Sequence, residues 1–279
     1  MHDPSEGIVY HYTGANGALG ILSSKEIWTT LVYHLNDAQE LSYAARLSAE
    51  VLRGADSGLP EEQRAAIESR FEQTLEQVRQ TYVFAASLSA EPDVLSQWRG
   101  YGGKGGYSLG FSQSALENSV AHAGGMRSGW VDYDGQSQRQ KLSGPIDELL
   151  AAVGAADIST VPVEGMNPFW TAVMAIMRVA PLIKHPGFAE EREWRIYTDP
   201  SVKSDRHYDF LVRGDELVPI YKMPLVQTPT DRNTVDIGLR RITTGPGPHN
   251  DRRQNAILLA IQMNGVDWQS GTYSTVPYR

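Results

Sequence analysis

The sequence predicts a globular protein that combines α-helices with β-strands, and three observations support this. Apolar residues make up 41% of the 279 residues and charged residues 21%, as in ordinary globular chains. Segments rich in β-forming residues are interspersed with segments whose apolar residues have helical spacing. No internal repeat or long low-complexity linker separates them. The length permits one domain or two, and we expect one elaborated domain.

The N-terminal part begins with a predicted strand, helix and strand. Ile8–Tyr12 alternates apolar and polar residues and then meets Thr13-Gly14, which is typical of a strand that ends in a loop. Pro60 stands where the first turn of a helix tolerates proline. The predicted strands here are Ile8–Tyr12, Ile27–Val32 and Tyr82–Leu88, and the predicted helices are Ala18–Leu22, Ala38–Arg53 and Pro60–Gln80.

The C-terminal part is more irregular. Its glycine cluster, Gly102–Gly106, lacks the lysine and serine of a phosphate-binding P-loop, so a tight turn between a helix and a strand is the favoured interpretation. The predicted elements are a short helix at Asp93–Tyr101, a strand at Tyr107–Phe111, a strand pair in Gly124–Tyr133, a helix at Phe169–Ile183, strands at Trp194–Thr198, Val218–Pro224 and Asp236–Thr243, and a helix at Asp251–Asn264.

Charge and composition narrow the classes of partner. The net charge of -8 gives no broad positive field for nucleic acid, so a protein or small-molecule partner is favoured. The chain has no cysteine, which excludes disulfides, thiolate metal sites and a cysteine nucleophile. The histidines show no paired spacing of the zinc type, so we expect no metal site. Without a signal core or a long apolar run, we expect a cytoplasmic chain that does not span a membrane.

An acidic cluster precedes the predicted strand Trp194–Thr198. Glu190, Glu191 and Glu193 supply three carboxylates, and Glu191 and Glu193 would share one face if the strand began there. Composition alone favours a solvated strand edge whose charges discourage aggregation.

Five short motifs, in this order and spacing, resemble the bacterial family called domain of unknown function 2971. Together they cover nearly the whole chain. They are Tyr10-His11-Tyr12-Thr13, Asn36-Asp37 with Glu40, Ser87-Leu88-Ser89 followed by Gln97-Trp98, Glu191-Arg192-Glu193-Trp194-Arg195, and Pro277-Tyr278-Arg279.

That family is in turn similar to the ADP-ribosyltransferase superfamily. The resemblance implies an α+β fold, a split β-sandwich of two antiparallel sheets with peripheral helices, in one domain over residues 1–279 with a helical insertion at about 38–80. It implies NAD as substrate, cleavage of the nicotinamide–ribose bond and transfer of ADP-ribose to an unidentified acceptor, in a toxin or a phage-defence effector. An NAD glycohydrolase and a catalytically silent binding module on the same fold are the alternatives.

The resemblance also implies roles for particular residues. Glu193 would stabilise the oxocarbenium-like ribose of the transition state, and Glu191 would activate an acceptor group. Tyr101 or Trp98 would stack on nicotinamide, although core packing explains either aromatic equally well. The residues implied in NAD binding are His11, Tyr12, Thr13, Ser87, Ser89, Trp98, Arg99 and Tyr101.

Several of these residues have simpler explanations as well. His11 would orient the adenosine-side ribose, or be an ordinary strand histidine, and Ser87 would support Glu193. Surface salt bridges are the favoured explanation for three candidate contacts to a diphosphate or an acceptor. These are Arg99, Lys184 and Arg195. The polar stretch with Asn36, Asp37 and Glu40 shapes a loop over the cleft or caps the following helix.

Overall fold

The structure, a computed structural model, shows an α+β chain built on one large mixed sheet. It describes residues 7–34, 39–78, 83–103, 105–154, 160–162, 165–201 and 207–277, without the side chains of residues 39–41 and 78. None of the helices it describes is long and apolar enough to cross a membrane.

The strands and helices follow one another in a mixed order along the chain. The strands are β1 Ile8–Thr13, β2 Glu26–Leu31, β3 Phe84–Ser89, β4 Tyr107–Ser112, β5 Met126–Trp130, β6 Glu193–Thr198, β7 Tyr208–Arg213, β8 Glu216–Pro224, β9 Thr228–Pro229, β10 Val235–Asp236, β11 Leu239–Thr244 and β12 Ser270–Tyr273. The helices are α1 Ala15–Ser24, α2 Gln39–Gly54, α3 Glu61–Val78, α4 Leu95–Gln97, which continues as a π-helix over Trp98–Gly102, α5 Gln113–Ala123, α6 Gly135–Gly154, α7 Pro168–Val179 and α8 Asn250–Met263.

Ten strands form the large sheet. Its main path runs β12-β11-β4-β1-β3-β2-β8-β7, and β6 and then β5 branch from β3. Neighbours pair antiparallel except for β11 and β12, which are parallel. The described strands form this mixed sheet and a two-stranded ribbon of β9 and β10, so the α+β class is confirmed and the expected pair of antiparallel sheets is not. The reason is that β3 pairs with β1, β2 and β6 and so joins them into one sheet.

The sheet splits along one edge of β3. On one edge, β6 pairs with β3 from Ala85 to Ser89. On the other edge, β2 pairs only with Phe84 and Ala85, and β1 only with Ser89. Strands β1 and β2 therefore diverge beside Ala86–Leu88, and this gap positions the candidate site.

Helices cover both faces of the sheet. Helices α1, α5 and α8 pack on one face over a core that includes Leu22, Leu109 and Trp194. Helices α2, α3, α6 and α7 form a second core on the other face, with Phe71 and Phe169 fully buried. Burial of each such side chain contributes about 1.5 to 3 kcal/mol to the stability of the fold. The two cores together therefore stabilise the packing of the helices on the sheet.

Three predicted elements differ from the structure. Gly124–Tyr133 holds only β5, not a strand pair, because Gly124 and Gly125 have φ of 65° and 66° and end α5 before the strand begins. The helix predicted to reach Ile183 ends at Val179, since Pro181 brings no backbone N–H and a 3₁₀ turn follows. The single helix predicted at Asp93–Tyr101 is observed as the short helix α4, which begins at Leu95, followed by the π-helix, which ends at Gly102.

Candidate functional site

A cavity of about 370 Å³ opens at the split in the sheet, and we call it the split cavity. Its walls include His11 and Thr13 from β1, Ser87 from β3 and Tyr101 from the π-helix. These four are among the residues implied in NAD binding, and they come from three separate elements. The volume falls in the range of roughly 300 to 1,000 Å³ that is usual for small-molecule sites.

His11 bridges the two sides of the gap. Its Nδ1 lies 3.2 Å from the carbonyl oxygen of Ser87, so Nδ1 carries the proton and donates, because a carbonyl only accepts. Burial lowers the pKa of His11, and the hydrogen bond to Ser87 only partly offsets that effect. At neutral pH the imidazole is therefore uncharged, and Nε2 is left as a hydrogen-bond acceptor.

Trp98 lies in a buried aromatic cluster and does not line the split cavity. Its side chain is 3% exposed, and its ring meets Tyr12 edge-on with the centroids 4.7 Å apart. Tyr12 is itself engaged, since its hydroxyl donates to the carbonyl of Glu91 at 2.7 Å. Of the two aromatics proposed to stack on nicotinamide, the structure places Tyr101 on the cavity wall, together with Trp28, which the sequence analysis did not select.

The glycines near Trp98 are explained by close packing. A Cβ atom on Gly102 would lie 2.8 Å from the indole ring, and one on Gly245 would lie 2.6 Å from it. Side chains at these positions would therefore displace the ring. Within the glycine cluster, Gly102 is therefore explained by its packing against Trp98 as well as by the tight turn that the sequence predicts.

Asp93 ties the C-terminal segment to this aromatic cluster. Its Oδ1 accepts hydrogen bonds from Trp98 Nε1 at 2.7 Å and Ser274 Oγ at 2.5 Å. Its Oδ2 accepts from the backbone N–H of Thr275 at 2.7 Å and from the hydroxyl of Thr275 at 2.8 Å. Burial acts to raise the pKa of Asp93, but these hydrogen bonds outweigh it and lower the pKa.

The second part of the site is a group of four charged side chains that we call the glutamate cluster: Lys184, Glu191, Glu193 and Arg195. The Lys184 ammonium lies 2.5 Å from Glu191 Oε2 and 3.5 Å from Glu193 Oε1. Arg195 donates through Nε and Nη2 to Glu193 Oε2, at 2.8 and 2.5 Å. Lys184 is fully buried and Glu193 is 1% exposed, so these charges are compensated within the protein.

Local backbone geometry brings the two glutamates together. Glu191 ends a 3₁₀ turn, and Arg192 has left-handed torsion angles with φ of 44°. Strand β6 then begins at Glu193, whose backbone N–H donates to the Tyr133 hydroxyl at 3.1 Å. Glu191 thus lies outside the strand, yet its carboxylate binds the same ammonium as that of Glu193.

The surroundings of Glu191 shift its pKa upward. Burial raises its pKa to about 7, with the negative charge of Glu193 adding to the effect and Lys184 opposing it. A carboxyl group with this pKa can accept or release a proton near neutral pH.

The glutamate cluster and the split cavity lie on opposite edges of β3. Ser87, on the cavity wall, is directly opposite Arg195, and Ser89 is opposite Glu193. Side chains of directly opposed residues in an antiparallel pair lie on the same face of the sheet, so those of Ser87 and Arg195 lie on one face. Neither Glu191 nor Glu193 lines the cavity.

The remaining predicted residues are dispersed. Ser89 donates through its hydroxyl to the backbone carbonyl of Glu191 at 2.9 Å and so braces the cluster. Arg99 is exposed and does not line the cavity. Lys184 and Arg195 bind the glutamates, so they are not surface salt bridges. Asn36, Asp37, the side chain of Glu40, Tyr278 and Arg279 lie outside the described residues.

The sequence predicts β8, at Val218–Pro224, but not its hairpin partner β7, which supplies Leu211 and Arg213 to the cavity wall. A signal was present, because Gly214-Asp215 is a two-residue turn between β-forming segments, and Gly214 has a positive φ of 62°.

Residues 97–196 match the model of a family described as Protein of unknown function (DUF2971). The chain resembles DUF2971 over this segment. The match contains Tyr101 of the split cavity and all of the glutamate cluster, and it leaves β1 and the β7–β8 hairpin outside. No curated protein and no solved structure matches the chain.

Proposed function

We propose that the chain binds NAD in the split cavity and cleaves its nicotinamide–ribose bond, as an ADP-ribosyltransferase with an acceptor still to be identified. One observation carries the proposal. Four of the eight residues that the resemblance implied in NAD binding, namely His11, Thr13, Ser87 and Tyr101, line one cavity of a size suited to a small molecule.

The chemistry of the wall suits a nucleotide. The neutral imidazole of His11 offers Nε2 to a ribose hydroxyl, which would donate to it. The Tyr101 ring offers an aromatic surface to a planar nicotinamide cation. Both contacts would orient the nucleotide against β3.

The glutamate cluster supplies the carboxylates that the reaction needs. Cleavage builds positive charge on the ribose, and a fixed carboxylate nearby stabilises that charge by several kcal/mol in a dry, preorganised site. Arg195 holds Glu193 by two hydrogen bonds one strand away from Ser87. Glu191, with a pKa of about 7, suits the role of general base for an acceptor hydroxyl.

The burial of Glu193 favours a second candidate, a binding module without catalysis. Its carboxylate is 1% exposed, both oxygens face cations, and it does not line the cavity. For catalysis, the bound ligand would have to extend past Ser87 and contact the Glu193 carboxylate. If the ligand does not reach Glu193, the cavity would bind a nucleotide without cleaving it.

Nicotinamide release from NAD by the purified protein tests the proposal. Wild type, Glu193→Gln and the exposed control Glu117→Gln are compared with and without cell lysate as acceptor source, and the unfolding midpoint of each is measured. We expect release that needs lysate, is retained in Glu117→Gln and is lost in a folded Glu193→Gln. Release without lysate would indicate a glycohydrolase. No release from wild type, with NAD binding by calorimetry, would indicate the binding module.

A further inference from the structure

Arg213 gives the split cavity a positive charge that no predicted residue provides. Of the described residues on the cavity wall, Arg213 is the only one with a charged side chain at neutral pH, because His11 is uncharged there and no carboxylate lines the wall. The described part of the wall would therefore attract a ligand with negative charge.

The register of the hairpin directs Arg213 toward the cavity. Arg213 is the last residue of β7, and Leu211, two residues earlier on the same face, also lines the wall. Phe210 and Val212, on the opposite face, are 61% and 75% exposed. The two-residue turn after Arg213 fixes this register, so the side chain is held at the cavity by strand pairing.

Within the described part of the chain, the guanidinium of Arg213 has no carboxylate partner. Its cross-strand neighbour, Glu216, instead lies with Oε1 3.2 Å from Nδ1 of His34. Arg213 makes one long hydrogen bond, from Nη1 to the carbonyl of His34 at 3.5 Å. As far as the described residues go, most of its five N–H donors thus remain available to a ligand.

We propose that Arg213 binds a phosphate group of the ligand in the split cavity. A guanidinium matches phosphate oxygens with paired hydrogen bonds, which makes this residue type suited to the role. The inference rests on the proposed function in taking the ligand to be a nucleotide. It assigns the diphosphate contact to Arg213 and not to Arg99, Lys184 or Arg195, the three candidates that the sequence indicated.

Calorimetry with two probes tests this proposal. ADP-ribose carries a diphosphate, and adenosine carries the same base and ribose without it. We expect wild type to bind ADP-ribose more tightly than adenosine. We expect Arg213→Gln to lose about 10- to 100-fold in ADP-ribose affinity and nothing in adenosine affinity, since a hydrogen bond to a charged group contributes about 1.5 to 3 kcal/mol. Arg252→Gln, an exposed change on α8, is the charge-matched control and should bind like wild type.

The outcomes separate this proposal from the proposed function. An unchanged ADP-ribose affinity in Arg213→Gln, or equal losses for both probes, would overturn the role of Arg213 even if nicotinamide release continued. A selective loss for ADP-ribose would support it even if the protein released no nicotinamide. If wild type bound neither probe, the role of Arg213 would be overturned, and nicotinamide release would still decide the proposed function.

Discussion

His11 and Ser87 connect the two strands that border the split cavity, with Nδ1 of the imidazole 3.2 Å from the carbonyl oxygen of the serine. The two residues are 76 positions apart in sequence. This contact fixes the tautomer of His11 and leaves Nε2 as a hydrogen-bond acceptor on a residue that lines the split cavity.

We predict that neutral His11 makes stability fall in mild acid. Its pKa is lowered in the folded state, so below about 6.5 the unfolded chain takes up a proton that the folded chain resists. The loss approaches about 1.4 kcal/mol per pH unit until the folded pKa is reached. Urea denaturation of wild type and His11→Asn at several pH values measures it, because asparagine does not titrate. A constant stability difference between the two from pH 7.5 to 5 would contradict the prediction.

Glu191 should act with the opposite sign. Because its folded pKa is about 7, the folded state holds more protons than the unfolded state between about pH 4.5 and 7. Its contribution to stability is therefore favourable at low pH and falls as the pH rises through this window. We expect the stability of Glu191→Gln relative to wild type to increase from pH 5 to 8 in the same denaturation assay. A relative stability that stayed level would place the pKa of Glu191 near its ordinary value.

Removal of the buried ammonium should be costly. Among the described ion pairs of the two glutamates, Lys184→Met leaves only the one between Arg195 and Glu193, and breaking a buried ion pair costs about 3 to 5 kcal/mol. The control, Lys141→Met, breaks a pair whose lysine is 45% exposed and should cost less than about 1 kcal/mol. Adding Glu191→Gln to Lys184→Met should recover part of the loss, which a double-mutant cycle would show.

Loss of the Asp93 carboxylate should release the C-terminal segment. Asp93→Asn replaces one acceptor oxygen by a donor group, which disrupts either the hydrogen bonds from Trp98 and Ser274 or the two from Thr275 and should cost about 1 to 3 kcal/mol. We expect faster cleavage after Thr275 in limited proteolysis. Asp209→Asn, at an exposed position, should leave the cleavage rate unchanged. Equal rates in wild type and Asp93→Asn would show that Asp93 does not hold the segment.

A methyl group beside Trp98 should destabilise the fold. Gly245→Ala would place a Cβ atom 2.6 Å from the indole ring, and overpacking of this kind costs about 1 to 3 kcal/mol. Gly54→Ala, near the end of α2, meets nothing within 4 Å and should be neutral or stabilising by up to about 1 kcal/mol. Equal unfolding free energies for the two variants would contradict the packing argument.

The elements with a clear pattern could be predicted from the sequence. Strand β1 is rich in β-forming residues and is followed by Gly14, and α1 has helical apolar spacing, so each was predicted near its observed position. Helix α6 was missed because Gly144 and Pro145 interrupt its interior. Strand β7 was missed because its exposed apolar residues do not show the pattern of a buried face.

The candidate site was harder to predict, because its parts meet only in three dimensions. The sequence indicated Glu191 and Glu193 as a pair, but it did not indicate that Lys184 binds both carboxylates. That contact depends on the 3₁₀ turn at Pro186–Glu191, which the sequence did not predict. Trp98 and Tyr101 are three residues apart and equally plausible for stacking from the sequence. In the structure both belong to one aromatic cluster, but Trp98 is buried in it while Tyr101 also lines the cavity. Arg213 was not selected because its strand, β7, was missed.

The split in the sheet has an evolutionary consequence. The opening is produced by main-chain pairing of β3 with β1 and β2, so it does not depend on any one side chain. Mutations at the wall can therefore change which molecule fits while the opening persists. Descendants of one ancestral chain could in this way acquire new ligand preferences without first having to build a new pocket.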